Sequence, residues 1–144
     1  MIRKLNLNVE EVNNIMNIWK KATIKAHEFI PTEYWLKNFN VVKEKYIPLA
    51  ETYVYLEESQ IKGFISIIGG EYIGALFVDI NCQGRGIGRK LIEYLRRIYD
   101  RLKLAVYKEN NQAVGFYKQV GFTVKYEQLN EETNEPEYIM ELEK

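Results

Sequence analysis

The sequence has only one cysteine, Cys82, and one histidine, His27, in 144 residues. A disulfide needs two cysteines and a structural zinc site usually needs four Cys or His ligands, so one chain can build neither. About 18 consecutive apolar residues, enough for a membrane span, occur nowhere, and no apolar run follows Arg3 and Lys4. We therefore expect a cytoplasmic protein without a bound metal, a membrane-spanning helix or a signal peptide.

The sequence also lacks a net charge, because 20 basic residues balance 20 acidic ones. Basic residues are concentrated between Arg85 and Lys103 and acidic ones between Glu127 and Glu143, a pattern that solvated faces also produce. Without an excess of positive charge, we expect neither nucleic acid nor a membrane as a partner. No linker, repeat or low-complexity tract interrupts the chain, so residues 1–144 are predicted to form a single domain.

Hydrophobic periodicity indicates both helices and strands. Asn8 stands three residues before Glu11, the spacing of a capping box, and predicts the start of the first helix. The predicted helices are residues 9–27, 32–47, 87–102 and 111–120. The predicted strands are residues 2–7, 52–57, 61–68, 72–78, 104–107, 122–129 and 138–142. This order predicts an α+β (mixed α/β) domain built around one mixed sheet.

A glycine-rich turn lies between the fourth predicted strand and the third predicted helix, where Asp79–Leu91 reads DINCQGRGIGRKL. Unpaired N–H groups and the helix dipole favour an anion at a helix N-terminus, and glycines allow its close approach. Walker A and the dinucleotide motif both require glycine at position 89, which is arginine here. Residues 83–88 instead follow the pattern Q-x-x-G-x-G. A glycine turn of this kind also occurs before helices that bind no ligand, where the glycines only make room for the backbone.

A second pattern lies downstream, where residues 110–122 read N-x-x-A-x-x-F-Y-x-x-x-G-F. Together the two patterns and the order of elements resemble the GCN5-related N-acetyltransferases (GNAT), and the resemblance covers Ile2 to Glu143. The stretch from Trp19 to Pro31, W-x-x-A-T-x-x-A-H-x-F-I-P, is similar to small bacterial single-domain members. The resemblance implies a central, mostly antiparallel sheet of about seven strands with four helices.

The resemblance also implies acetyl-CoA as co-substrate. Its pantetheine arm is expected along the fourth strand, where the two central strands of family members diverge, and an N–H near Leu76 or Phe77 would polarise the thioester carbonyl. Asn110 either contacts the pantetheine or fixes the end of the preceding strand; alternatively, Asn110 or Asn111 simply caps the following helix. The expected cofactor-binding residues are Leu76, Phe77, Val78, Gln83, Gly84, Arg85, Gly86, Ile87, Gly88, Arg89, Asn110 and Tyr117.

The chemistry implied by the resemblance is direct attack by an amine in a ternary complex. Tyr117 matches the family's general acid, which protonates the departing thiolate, although Phe116 and Tyr117 also fit as packed aromatic residues. Glu71 and His27 are the candidate bases that deprotonate the incoming ammonium, and water is an alternative. Cys82 is expected to be a packing residue or a bystander.

The predicted function is therefore transfer of an acetyl group to a primary amine. A catalytically silent acyl-CoA sensor and a module for another pyrophosphate ligand remain alternatives. The sequence does not choose between lysine side chains, peptide N-termini, polyamines and antibiotics as acceptors, nor between a monomer and a homodimer. The use of other acyl groups also stays open.

Overall fold

Seven strands form a single sheet in the computed structural model, which describes residues 1–143. The strands are β1 (Ile2–Lys4), β2 (Glu51–Glu57), β3 (Gln60–Ile68), β4 (Tyr72–Val78), β5 (Arg101–Tyr107), β6 (Thr123–Asn130) and β7 (Glu135–Glu143). Their spatial order is β1-β2-β3-β4-β5-β7-β6. All neighbouring strands are antiparallel except β4 and β5, which are parallel. The predicted α+β architecture with a mixed, mostly antiparallel sheet is thus confirmed.

Helices occupy four segments of the described chain. The α-helices in these segments are α1 (Val9–Ala26), α2 (Thr32–Val41), α3 (Ile47–Leu49), α4 (Ile87–Arg96) and α5 (Asn111–Gln119), and α2 and α3 belong to the same segment. A π-helical segment, Val42–Tyr46, joins α2 to α3 with helical backbone angles at both junctions, so these three form one continuous segment. No helix within residues 1–143 is long and apolar enough to cross a membrane.

The second helical segment was predicted to stop before Pro48, and this prediction was wrong. Proline in a helix interior removes one hydrogen bond and places its ring against the preceding turn. The wider π-helical turn lies directly before Pro48, where the Ile47 N–H donates to the Val42 carbonyl, and the helical backbone continues to Leu49.

The helix after the glycine turn also differs from its prediction, because it ends at Arg96 rather than at residue 102. Ile98 is 49% exposed, and Leu102 belongs to β5, where it is paired with Leu142 of β7. The apolar spacing of Leu102 fitted a helix as well as a strand, and the long pairing of β5 with β7 decides between them.

The start of α1 follows its prediction in part. The Glu11 N–H donates to Asn8 Oδ1 at 2.8 Å, as in a capping box. The Glu11 carboxylate does not return to the Asn8 N–H but accepts from the Asn6 N–H and from both terminal nitrogens of Arg3, at 2.9 Å each. These bonds attach β1 to α1, and the Arg3 guanidinium lowers the pKa of Glu11.

The sheet is covered on both faces, which explains why four of the five residues from Phe64 to Ile68 in β3 are apolar. Phe64 packs with α1 residues such as Ile15 on one face, whereas its neighbour Ile65 packs with Leu91 and Leu95 of α4 on the other. All five side chains are fully buried. The central strands are therefore held in place by two separate apolar layers.

β4 and β5 diverge from one another after a single pair, Tyr72 with Lys103. β4 carries one extra residue, Gly74, between the pairs Ile67–Ile73 and Ser66–Ala75. Such a bulge bends a strand and increases its twist, which turns the rest of β4 away from β5. The gap between these strands contains the candidate site.

Candidate active site

Two cavities meet at the gap between β4 and β5. The first, here called the loop cavity, has a volume of about 400 Å³ and lies between the glycine turn and α5. The second, the inner aromatic cavity, has a volume of about 240 Å³ and is lined by residues of α1, including Trp19 and His27. The residues that line both cavities are Leu76, Phe77, Asn110, Ala113 and Tyr117. Ligands bound in the two cavities would therefore contact the same five residues.

The glycine turn has the form that an anion site needs. Gly84 and Gly86 have φ angles of 81° and 84°, in the left-handed region, and an added Cβ would meet nothing within 4 Å at either position. These two glycines are thus required by backbone conformation and leave open space above the turn. Within residues 1–143, the backbone N–H groups of residues 84–89 have no acceptor, so they are free to bind a phosphate.

Gly88 has a different role from the other two. An added Cβ at Gly88 would lie 3.3 Å from the ring of Phe116, so this glycine allows α4 to pack closely against α5. Cys82, predicted to be a packing residue or a bystander, is buried and forms part of the loop cavity wall.

Only one of the two arginines expected at the pyrophosphate faces the loop cavity. Arg89 lines it, together with Gln83, whose side-chain amide also donates to the Val78 carbonyl at 3.2 Å. The Arg85 guanidinium instead binds both carboxylate oxygens of Glu57 on β2, at 2.6 and 2.8 Å. This ion pair raises the pKa of Arg85 and lowers that of Glu57.

Tyr117 lies at the junction of the two cavities. Its ring packs against Phe116 and Phe122, with centroids 5.3 and 5.4 Å away, so the interpretation as a packed aromatic residue holds for the ring. Its hydroxyl makes no hydrogen bond with any residue of the described chain. Burial raises the pKa of Tyr117 well above its ordinary value, with a smaller contribution from Tyr72. The phenol therefore stays protonated at neutral pH and can donate.

Asn110 connects α5 with α1. Its Oδ1 accepts from the Ala113 N–H at 3.2 Å and so caps α5, while its Nδ2 lies 3.3 Å from His27 Nε2. Asn110 also lines both cavities, so capping and contact with a ligand are compatible.

His27 is the C-cap of α1 and is buried, with 7% of its surface exposed. Its Nδ1 lies 2.8 Å from the Thr23 carbonyl oxygen, and the rings of Trp35 and Tyr107 lie 5.1 and 5.2 Å away. Burial lowers the pKa of His27 below its ordinary value. Both ring nitrogens are engaged, which leaves no lone pair for a substrate proton.

Glu71 is not brought together with the other predicted residues. It precedes β4 at the end where β4 and β5 are paired, and it lines neither cavity. Its half-exposed carboxylate lies 3.7 Å from the Arg101 guanidinium.

A third cavity, the outer aromatic cavity of about 630 Å³, adjoins the inner one through Trp19, Trp35, Gly74 and Ala75. No lysine or arginine of the described chain lines either aromatic cavity, and Glu132 contributes the one carboxylate. The Trp, Tyr and Phe residues of the two cavities are Trp19, Tyr34, Trp35, Tyr46, Tyr72, Phe77, Tyr107 and Tyr117. Aromatic faces beside a carboxylate suit a cationic group.

Two carboxylates near these rings are not apparent from the sequence. Glu132 accepts from the Tyr34 hydroxyl at 2.5 Å, and Glu137 is 8% exposed and accepts from Gln128 Nε2 at 2.7 Å. The charge of Glu137 also raises the pKa of Tyr107. In the sequence both belong to an acidic, polar segment that resembles any solvated loop. Within residues 1–143, no three His, Cys, Asp or Glu side chains are grouped so as to hold a metal ion.

Comparison with known proteins identifies the family. The sequence model of the acetyltransferase (GNAT) domain matches residues 21–143. The chain is 33% identical over 130 residues to the peptidyl-lysine N-acetyltransferase YiaC of Escherichia coli K12, covering 90% of this chain and 89% of that protein. It is 35% identical over 116 residues to the peptidyl-lysine N-acetyltransferase YjaB of the same organism, covering 80% and 78%.

Solved structures show the same fold. The solution structure of apo YjaB from Escherichia coli has a TM-score of 0.83, with 30% identity over 98% of this chain and 97% of that one. The PaiA N-acetyltransferase of Thermoplasma acidophilum, in complex with coenzyme A, has a TM-score of 0.80, with 18% identity over 100% and 99%. The family match over most of the chain, these relatives and the shared fold show that the chain belongs to the GNAT family, as an acetyltransferase with acetyl-CoA as its co-substrate.

Proposed function

We propose that the protein transfers the acetyl group of acetyl-CoA to the side-chain amine of a lysine in a peptide or protein. The observation that carries the proposal is the unpaired Tyr117 hydroxyl at the junction of the loop cavity and the inner aromatic cavity. Two reactants entering from opposite sides would meet there. YiaC and YjaB, the relatives described above, are named for peptidyl-lysine as acceptor, which supports this acceptor class.

The residues of the loop cavity fit acetyl-CoA, which supplies the reactive thioester. The free N–H groups of residues 84–89 suit its pyrophosphate, and Arg89 adds a positive charge. The Asp79 N–H donates to Lys62 on β3, so by strand alternation the N–H of Leu76 points away from β3, into the gap. We assign Leu76, rather than Phe77, as the donor to the thioester carbonyl oxygen.

Tyr117 would act as the general acid. When the neutral amine attacks the carbonyl carbon, the bond between that carbon and the CoA sulfur breaks, and the phenol gives its proton to the sulfur. The raised pKa of Tyr117 keeps the proton on the oxygen until this moment. The nitrogen loses a proton as the amide forms, and this proton returns through water to the phenolate. A thiolate that leaves unprotonated would be a poorer leaving group, so loss of the hydroxyl should slow turnover more than binding.

The aromatic cavities would receive the lysine. A lysine ammonium on an apolar stem matches aromatic walls with one carboxylate, and Glu132 and Tyr34 lie where a cationic group can be attracted. The ammonium must lose a proton before it attacks. We assign this proton to water in the cavity, because Glu71 lies outside it and both nitrogens of His27 are hydrogen-bonded.

The test is acetyl-CoA-dependent release of free thiol with a panel of amines. The key pair is one lysine peptide with a blocked N-terminus and the same peptide with arginine in place of the lysine. We expect turnover with the first and none with the second, and much lower rates with polyamines, aminoglycosides and free amino acids. Turnover with a different class alone would refute lysine as acceptor. CoA binding without turnover on any amine would favour the acyl-CoA sensor.

A further inference from the structure

Four hydrogen-bonding groups form a continuous chain from α1 to α5. The Thr23 carbonyl oxygen lies 2.8 Å from His27 Nδ1, His27 Nε2 lies 3.3 Å from Asn110 Nδ2, and Asn110 Oδ1 lies 3.2 Å from the Ala113 nitrogen. We call these groups the His27 relay. It extends along the wall of the inner aromatic cavity and ends at the N-terminus of the helix that carries Tyr117.

The hydrogen-bond directions along the relay are fixed by chemistry. His27 Nδ1 lies 2.8 Å from the Thr23 carbonyl oxygen, which only accepts, and 3.2 Å from the Thr23 hydroxyl, which can accept or donate, so the shorter contact assigns the ring hydrogen to Nδ1. Nε2 of the neutral ring is then an acceptor, and it faces the amide nitrogen of Asn110, which only donates. Asn110 Oδ1 accepts from the Ala113 N–H, which is consistent with the same amide orientation. Every group is satisfied only when the imidazole is neutral.

The relay also fixes the direction of α5. Asn110 and Tyr117 are seven positions apart, so about two helical turns place them on the same face of α5. A shift of the cap at Asn110 would displace the Tyr117 hydroxyl along this face. α1 contributes Trp19 and Thr23 to the inner aromatic cavity, so the relay fixes the position of Tyr117 relative to this wall of the cavity.

We propose that His27 is a positioning residue, which in its neutral form holds Asn110 and thereby sets Tyr117 at the junction of the two cavities. A second proton on the ring replaces the acceptor at Nε2 by a donor, which cannot pair with Asn110 Nδ2, and turning the amide over would break the bond from the Ala113 N–H to Asn110 Oδ1. The relay then opens between His27 and Asn110. The kinetic part of this inference rests on the proposed acetyl transfer, whereas its spectroscopic and cofactor-binding parts do not.

Within residues 1–143, no charged side chain lies against the His27 ring to stabilise its protonated form. His27 is faced by Thr23 from its own helix, Phe29 from the following loop, Trp35 from α2, Tyr107 from β5 and Asn110 before α5. Tyr107 alone among these titrates, and burial raises its pKa, so it is uncharged near neutral pH. The lowered pKa of His27 agrees with this apolar surrounding.

The first experiment uses the fact that His27 is the only histidine, so a long-range ¹H–¹⁵N spectrum contains one imidazole. We expect the tautomer protonated at Nδ1 and a pKa below the ordinary value. Asn110→Ala should raise the pKa of His27, because it removes the donor that favours the neutral ring. A tautomer protonated at Nε2, or a pKa unchanged by Asn110→Ala, would overturn the relay.

The second experiment separates the two halves of the relay. His27→Gln has its amide oxygen where Nε2 lies and can still accept from Asn110, whereas His27→Asn has its amide nitrogen where Nδ1 lies and keeps only the bond to Thr23. We expect His27→Asn to lower kcat about tenfold more than His27→Gln, a difference of about 1.4 kcal/mol in the barrier. The KM for the peptide should change much less. Urea unfolding of both variants verifies that they fold.

The pH profile distinguishes positioning from packing. Deprotonation of the lysine ammonium makes the rate depend on pH in every variant, so the measured quantity is the ratio of the wild-type kcat to that of His27→Gln, whose side chain does not titrate. This ratio should fall as the pH drops through the pKa of His27. Equal kcat values for the two variants, or a ratio of wild-type to His27→Gln kcat that does not change with pH, would overturn the proposal. If no amine is turned over, CoA affinity replaces kcat: a weaker affinity in His27→Asn than in His27→Gln supports the relay, and equal affinities refute it.

Discussion

Replacing Tyr117 by phenylalanine removes one oxygen atom from the junction of the two cavities. The ring contacts with Phe116 and Phe122 do not depend on that oxygen, and the hydroxyl has no hydrogen-bond partner within residues 1–143. A protein hydrogen bond typically contributes about 0.5–1.5 kcal/mol, and here none is lost. The free energy of unfolding should therefore change by less than about 1 kcal/mol.

The effect on catalysis should be much larger. A positioned general acid typically contributes about 10²- to 10⁴-fold to the rate, or roughly 3–5 kcal/mol of the barrier. Tyr117→Phe should lower kcat by this factor while leaving the affinity for CoA within about threefold. Since burial raises the pKa of Tyr117, the wild-type rate should not fall through its ionisation at weakly alkaline pH.

The assay compares thiol release, CoA titration calorimetry and urea unfolding for the wild type, Tyr117→Phe and Tyr94→Phe. Tyr94, on α4, is a suitable control because it packs against Tyr53 of β2 and lines none of the three cavities. It should keep the wild-type kcat. A Tyr117→Phe variant with wild-type kcat would refute the acid role, and one that fails to fold would refute the account of its packing.

Three further variants test other parts of the structure. Gly86→Asp should abolish CoA binding by calorimetry, because position 86 needs a left-handed backbone and a carboxylate would face the phosphates; unchanged affinity would remove the phosphate assignment. Leu91→Ala should lower the free energy of unfolding by about 2–5 kcal/mol in urea, since Leu91 is fully buried, and a loss well under 1 kcal/mol would contradict its place in the core. The lowered pKa of Glu11 means that its bonds to Arg3 stabilise the fold above the ordinary Glu pKa and less as the pH falls through the lowered value. Glu11→Gln should therefore reduce the free energy of unfolding at pH 7, and that free energy should then fall less on acidification than it does in the wild type. Parallel plots of the free energy of unfolding against pH for Glu11→Gln and the wild type would exclude this contribution.

The sequence was sufficient to predict the order of the elements, because the helical and strand periodicities were long and separated by turn residues. Boundaries were less predictable where one residue suits two structures. Leu102 completed the apolar spacing of α4, yet its pairing with Leu142 places it in β5. Pro48 indicated a helix end, but the π-helical turn before it is a local solution that periodicity does not reveal.

The candidate site shows the same division. The glycine turn and the Asn110 to Phe122 pattern were detectable because backbone conformation and helix spacing fix those residue types. Side-chain partners distant in sequence were not detectable, such as Glu57 for Arg85 or His27 for Asn110. Arg85 therefore looked equivalent to Arg89 in the sequence, although its guanidinium is turned towards β2.

The divergence of β4 and β5 gives the sheet the character of two ribbons, β1 to β4 and β5 to β7, with one paired position between them. A ligand lying in the gap supplies backbone-like donors and acceptors where a continuous sheet would have its own ladder. Binding and folding are then linked, because a ligand that binds only the folded chain stabilises it by RT ln(1 + [L]/Kd), about 2.7 kcal/mol at a hundredfold excess over Kd. If acetyl-CoA binds in this gap, as proposed above, the cohesion of the two ribbons depends on the concentration of acetyl-CoA.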